Sequence, residues 1–465
     1  MNTEPDIDVP SKAIVTNPAT EQPLAVMESW GPDEVSAAVD QAKRAFPEWA
    51  EVSPSDRARI LRRLADLVEA NQEHLARMET DNVGKPISDS RGEISMVAEV
   101  FNFYAGAIDK HRGSSIPVSG GVDITFHEPM GVVAAIVPWN FPAAITSWKV
   151  GPALASGNAI IVKPAELTPL TAVRMVDLAL EAGVPEGIFQ VVVGQGSVAG
   201  TALVEHPDIA KVAFTGSTEV GIEVMRRAAG TVKAVTLELG GKSPNVIFAD
   251  ADLEAAARSA PGAVFGNAGQ DCCARSRILV QRSVFDDFLD LLVAATASIE
   301  VGDPHEDETQ MGPLVSASHR DTVAGFLDPI EAGIEIVYTG TVPQGPGYWY
   351  PPTLAVTPDS KCRLAYDEVF GPIASVIAFD DESDAIRLAN ETPYGLSGSV
   401  WTRDGAKALR MARAIASGNL SINSNSSVRV ATPFGGMKQS GLGRELGMEA
   451  LASYTDVKNV FISTQ

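Results

Sequence analysis

Apolar residues recur at helical spacing near the start of the chain. Val35, Ala38, Val39, Ala42 and Phe46 fall on one face, which predicts an amphipathic helix. The following stretch, SPSDRARILRRLADLVEA, predicts a second. Ser53 is its N-cap, Pro54 takes the first helical position, Asp56 closes a capping box, and Ile60, Leu61, Leu64 and Val68 line the apolar face. From about residue 121 the texture changes. VDITFHEP alternates like an exposed strand, and GVVAAIVPW reads as a buried one. Short apolar strands then alternate with amphipathic helices from NAIIVKP to KAVTLELGG. Such alternation predicts right-handed crossovers and a mostly parallel, doubly wound sheet. A second alternating stretch runs from SPNVIFAD to GNLSINS. The expected fold class is therefore α/β, with two doubly wound halves that meet at the turn Gly240–Gly241.

A length of 465 residues suits two or three domains. The balance of 36 basic against 59 acidic residues gives a net charge of -23. That argues against nucleic acid, because phosphate binding needs a concentrated basic face. The longest apolar runs break at Pro, Gly, Lys or Asn, so no membrane span is expected. The amino-terminal stretch MNTEPDIDVPSKAIVTNP is polar and acidic and shows no secretory signal. Three cysteines make an odd count, which fits a reducing compartment and a cytoplasmic location.

Two of those cysteines, Cys272 and Cys273, are adjacent in GNAGQDCCARSRILV. Their spacing does not match paired C-x-x-C zinc ligands, none of the six histidines is near in sequence, and no metal is expected. Two readings remain at this point: small buried hydrophobes, or a nucleophile that needs a base and an oxyanion donor from elsewhere in the chain. VPWNFP supplies a candidate donor, since its prolines hold the amide of Asn140 rigidly. TLELGGKSP supplies a candidate base, since Glu238 ends an apolar strand where desolvation raises a carboxyl pKa. A dinucleotide has candidate contacts too. FTGSTEVG places Gly216 and Ser217 at a helix N-terminus that suits a phosphate, and VKPAEL places Lys163 and Glu166 past a strand's carboxyl end. Ser217 reads equally well as a plain N-cap, and Lys163 with Glu166 as a surface ion pair.

Taken together, VTNPATEQPLA, PWNFP, KPAELTP, FTGSTEVG, LELGGKSPN, GQDCCA, DEVFGP and PFGGMKQSGLGRELG resemble the aldehyde dehydrogenase superfamily over nearly the whole chain. The resemblance implies a nucleophile at Cys272, an oxyanion site at Asn140 and the Cys272 backbone N–H, and a water-activating base at Glu238. It matches Lys149 and Glu445 to a proton relay. It further implies NAD as cofactor: Lys163 and Glu166 at the adenosine ribose, Gly216 and Ser217 at the pyrophosphate, Glu368 and Phe370 at the nicotinamide riboside. Ile136, Pro138, Trp139, Gly196, Phe214 and Leu239 match further cofactor positions. A carboxylate at 166 favours NAD over NADP, because it would repel a 2′-phosphate. Glu238 favours hydrolysis to a free acid over transfer to coenzyme A.

The aldehyde is less sharply marked. Asp271 beside the nucleophile suits a substrate ammonium, and GQDC occurs in relatives acting on aminoaldehydes. Arg429 suits a carboxylate and hence a semialdehyde. A γ-glutamylated aminoaldehyde would satisfy both. Phe141, Trp148 and Phe434 are candidate aromatic walls. The resemblance also implies an NAD-binding domain of residues 1–111 and 130–239, a catalytic domain of residues 240–439, and an oligomerisation arm and tail at 112–129 and 450–465. A homodimer or homotetramer is expected.

Overall fold

A computed structural model describes residues 12–426 and 428–465 of the chain. The polar stretch before residue 12, read above for secretory signals, lies outside the described residues. No helix among the described residues is long and apolar enough to cross a membrane.

The run read as a buried strand, Val132–Ile136, is the centre of a six-stranded sheet. Strand Ala159–Lys163 pairs with it on one side, with Phe189–Val191 beyond. Ile209–Thr215 and then Ala234–Glu238 lie on the other side, and all of these pairs are parallel. The chain therefore starts in the middle, builds outward one way and then returns to build the other way. This order creates a switch point between Val132–Ile136 and Ile209–Thr215, and ligands of open α/β sheets bind outside the strands' carboxyl ends there. A short strand from far along the chain, Gly441–Leu442, adds antiparallel to the outer edge, with Gly441 opposite Glu238.

The second half forms a seven-stranded sheet around Pro244–Ile247 and Arg277–Gln281, parallel except at the edge strand Glu335–Thr339. Each sheet has its own apolar core. The separation is not a clean cut in the chain: Leu396, Val430, Phe434 and Leu451 pack into the first core. A third sheet stands apart from both. Gly121–Pro129 pairs antiparallel with Ser115–Val118 on one side and with Thr455–Ser463 on the other.

Of four amino-terminal helices, Pro32–Glu51 packs against the first sheet, and Pro54–Ala70, Gln72–Val83 and Ile87–Ala107 pack on the helices Pro142–Ala155 and Leu170–Ala182. In Pro32–Glu51, Val35, Ala38, Val39 and Ala42 are buried as the spacing predicts, but the far end is anchored by buried Trp49 while Phe46 is only half-buried. Ser53 caps Pro54–Ala70 by accepting the Asp56 N–H at 3.2 Å. The Asp56 carboxylate bonds the Ser53 hydroxyl and Arg59.

The Cys272 turn lies between the helix Leu253–Phe265 and the strand Arg277–Gln281. It is reached through three consecutive left-handed residues: Asn267 (φ 49°), Ala268 (φ 55°) and Gly269 (φ 72°). L-residues pay roughly 1–2 kcal/mol each for that conformation. At Gly269 there is also no room, since a Cβ would lie 2.3 Å from the Gly371 carbonyl oxygen. Gly269→Ala is therefore expected to lower stability by at least ~2 kcal/mol, and Ala268→Gly to change it by less than ~1 kcal/mol, because relief of the left-handed strain offsets the lost buried methyl. Denaturant midpoints of the two variants against wild type check this ordering.

Candidate active site

Cys272 is half-buried at the meeting of two cavities and lines both of them. The first, about 240 Å³, opens at the switch point of the six-stranded sheet. Its walls include Pro138, Trp139 and Asn140 after one central strand and Gly216 and Ser217 after the other. Glu238, Leu239, Glu368 and Phe370 complete the side facing Cys272. Trp139 and Phe370 meet edge to face at 5.2 Å. The second cavity, about 370 Å³, lies on the other side of the thiol, walled by Phe141, Trp148, Phe434 and Asp271. Trp148 and Phe434 also meet edge to face, at 5.1 Å. The residues expected at the nicotinamide riboside thus line the first cavity, Trp148 and Phe434 line the second, and Phe141, like Cys272, lines both.

Amide hydrogen bonds tie the thiol's turn to the first sheet. Asn140 Nδ2 donates to the Gln270 carbonyl at 2.9 Å, and Asn267 Nδ2 donates back to the Asn140 carbonyl at 2.9 Å. One hydrogen of the Asn140 amide is thereby held, and the second remains for a group in the cavity it lines. Two glycines then allow close approach. A Cβ on Gly241 would lie 2.3 Å from the Cys272 carbonyl oxygen, and one on Gly240 2.2 Å from Glu368 Oε2. Glu368 Oε1 instead accepts the Gly241 N–H at 2.8 Å, and burial pushes the carboxyl up to about 7.

Burial shifts several groups around the thiol toward their neutral forms. Glu238 is buried with no partner for either carboxylate oxygen. Burial, and then the nearby Glu445 charge, holds its pKa well above the ordinary carboxylate range. The Cys272 thiol is raised by its hydrogen bond with Cys273, by burial and by the surrounding negative charge. Lys149 and Glu445 form a buried ion pair, and Glu445 Oε2 has no partner. Asp271 Oδ1 accepts the Cys273 N–H at 2.8 Å, and burial raises its carboxyl. Cys273 itself is buried in the first core, as a packing residue would be. Asp271, Cys272 and Cys273 bring three donor atoms within 4.8 Å of one another, all from one turn. Cys362 is buried in the second core, away from both cavities.

Farther along the sheet's carboxyl edge, buried Lys163 lies 3.7 Å from Glu166, which accepts the Gly196 N–H at 2.7 Å. That leaves one Glu166 oxygen for another donor. Ser217 caps its helix, accepting the Val220 N–H at 3.3 Å. Phe214 is buried in the core and Ile136 half-buried against it, and neither lines the Cys272 cavities. Nor does Arg429: it is exposed, and its neighbour Val428 lines the second cavity instead. A guanidinium with no buried partner stays in water, while the apolar side chain beside it joins the core. The second cavity also has walls that the motifs did not announce: Lys85, Asp89 and Glu93, from the amino-terminal helical region. Glu93 shares the buried face of Ile87–Ala107 with Ile94 and Val97, and a carboxylate on an apolar stripe was the available signal.

Residues 8–460 match the model of the aldehyde dehydrogenase family. The chain is 40% identical over 460 residues to the betaine aldehyde dehydrogenase of Bacillus subtilis (strain 168), covering 97% of this chain and 94% of that protein. It is 41% identical over 455 residues to the NADP/NAD-dependent aldehyde dehydrogenase PuuC of Escherichia coli (strain K12), covering 97% and 92%. The crystal structure of betaine aldehyde dehydrogenase from Staphylococcus aureus in complex with NAD+ superposes with a TM-score of 0.95 at 37% identity, over 98% of this chain and 92% of that one. The chain belongs to the aldehyde dehydrogenase family.

Proposed function

We propose that this enzyme oxidises a cationic aldehyde to its carboxylic acid with NAD, through a covalent intermediate on Cys272. The carrying observation is the placement of Cys272 between two cavities, one on the sheet's switch point and one walled by aromatic rings and carboxylates. The cofactor's fit rests on this chain's own residues: Lys163 and the free Glu166 oxygen at the sheet edge, and Glu368 and Phe370 beside the sulfur. Related structures carry NAD.

Half-buried Cys272 gives its thiol proton to solvent, and the thiolate Sγ attacks the aldehyde carbon, forming a C–S bond as the carbonyl oxygen becomes an oxyanion. The free hydrogen of Asn140 Nδ2 and the Cys272 N–H stabilise that oxygen, a contribution worth ~10²–10³ in rate for a single donor. When bound, NAD supplies the acceptor for the hydride, and the carbon–sulfur bond is left as a thioester. Glu238 then takes a proton from the water that attacks this thioester, and C–S cleavage releases the acid. In this reading Lys149 and Glu445, a buried ion pair whose charges act on Glu238, take the proton onward.

The second cavity selects the substrate. Asp271, Asp89 and Glu93 line it against one cation, Lys85, and aromatic faces complete it. Such walls suit an ammonium. A semialdehyde would want an unpaired cation facing the cavity; Lys85 lines it but is paired with Glu93, and exposed Arg429 does not line it.

In the division of labour we propose, residues 1–111 and 130–239 bind the cofactor, 240–439 carry the nucleophile, and 112–129 with 450–465 form an arm between subunits. The arm strands expose Phe126, Val457, Phe461 and Ile462 on a sheet that neither core covers, and a second copy covering them gives a homodimer or homotetramer. A thiol nucleophile also fits a reducing cytoplasm.

Cys272→Ala abolishes NADH formation with every aldehyde, whereas Glu238→Gln gives about one equivalent of NADH per subunit and then stalls. In wild type the rate keeps rising with pH well above the ordinary carboxylate range, because the raised Glu238 carboxyl must lose its proton to act. Rapid-mixing absorbance reads all of these. Asp271→Asn lowers kcat/KM for betaine aldehyde about tenfold, or ~1.4 kcal/mol, and leaves benzaldehyde within about twofold; equal losses would remove the ammonium role. NAD exceeds NADP in kcat/KM by roughly tenfold or more, and Glu166→Gln narrows that ratio; an unchanged ratio would show that Glu166 does not read the ribose.

A further inference from the structure

Three buried charged side chains lie behind the start of the helix Pro142–Ala155. Lys85 is 1% exposed, Glu79 0% and Glu93 7%. Lys85 Nζ pairs with Glu93 and stands 3.8 Å from Glu79 Oε1. Glu93 Oε1 accepts the Ala144 N–H at 2.9 Å, and Glu79 Oε1 accepts the Ala143 N–H at 3.3 Å. The Thr171 hydroxyl donates to Glu79 Oε2 at 2.7 Å.

Ala143 and Ala144 belong to the helix's first turn, whose amides have no acceptor within the helix. A Ser or Asp at the N-cap ordinarily supplies one. Here the N-cap is Phe141, which makes no side-chain cap bond. Its ring lines both cavities, and Lys85 Nζ sits 4.3 Å from the ring centroid. The aromatic wall and a local cap compete for one position. The carboxylates bring the cap from two other helices, Gln72–Val83 and Ile87–Ala107. Lys85 offsets the cost of burying the Glu93 charge, while burial and that same Glu93 charge push the Glu79 carboxyl up to about 8, so that it serves chiefly as a hydrogen-bond acceptor.

We propose that Lys85, Glu79 and Glu93 form a remote cap that fixes the first turn of Pro142–Ala155 and so positions Asn140 and Phe141 against Cys272. The proposal rests on the reading of Asn140 as the oxyanion donor. All three members are positioning residues, since none is required to touch the reacting atoms.

A double-mutant cycle tests it in the full-length enzyme with benzaldehyde, which needs no ammonium site. Glu93→Gln keeps an acceptor for the Ala144 N–H but loses the ion pair, and Lys85→Met removes the shared cation. Each is expected to lower kcat about tenfold or more while KM for NAD stays within about threefold, the signature of a misplaced group near the reacting carbon. Lys85→Arg is expected to recover most of the loss. Combined with Asn140→Ala, Glu93→Gln should add little, because both act on one interaction. Full multiplication of the two losses, or wild-type kcat in both Glu93→Gln and Lys85→Met, would overturn the remote cap and leave the Asn140 reading intact. Wild-type kcat in Asn140→Ala would overturn the oxyanion reading and the link to Asn140 with it.

Discussion

The site depends on the amide exchange that joins Asn140 to the Cys272 turn. Asn140 lies in the loop that follows the strand Val132–Ile136 of one sheet, and Asn267 and Gln270 precede a strand of the other. The bonds Asn140 Nδ2 to Gln270 O and Asn267 Nδ2 to Asn140 O lock these two segments in register. Gln270 extends the lock, accepting the Val315 N–H at 2.9 Å through its own side chain. Each such bond contributes only about 1 kcal/mol net, but a buried amide left without a partner costs ~1–3 kcal/mol. Slippage between the two halves would leave several unmade at once. The left-handed run at 267–269 is held by the same bonds, so backbone strain and the alignment of the thiol have one common support.

Burial sets the charges around that lock. The Glu238, Glu368 and Asp271 carboxyls are all raised, and burial is the largest cause in each case. Lys163 is lowered for the same reason. A wet cleft would leave these groups near their solution values, and Glu238 would then be a weak base. The Lys149–Glu445 pair meets the opposite requirement. It keeps a formal charge pair in the interior within reach of Glu238, and desolvation is tolerable there because the two charges compensate each other.

Much of this was legible in the sequence because strand ends are local. A buried strand that finishes in Glu-Leu-Gly-Gly announces a carboxylate in apolar surroundings, and Glu238 is where that pattern placed it. Asn140 between two prolines was legible for the same reason. Glu79, Lys85 and Glu93 were not, since they meet the Phe141 turn across roughly fifty residues of chain and only packing shows which helix face turns inward. Arg429 shows the converse failure. It stands in a segment that does reach the site, but one position away from the side chain that turns in, and sequence resemblance does not resolve a single-residue choice between Val428 and Arg429. Ser217 carried two readings, and its hydroxyl is engaged as the helix cap.

Chemistry and selectivity are built from different parts of the chain. The sulfur, the amide and the base come from loops and strand ends locked to the two sheets, where a displacement of one atom disturbs all three. Most of the charged wall of the second cavity comes from Lys85, Asp89 and Glu93, at or near the start of one long amino-terminal helix. Changing an exposed wall residue such as Asp89 alters the field felt by the substrate without touching a strand end. Lys85 and Glu93 are different, because the same atoms that shape the cavity also hold the first turn after Asn140. Substrate range can therefore drift at the rim of the cavity, while its floor is tied to the reaction.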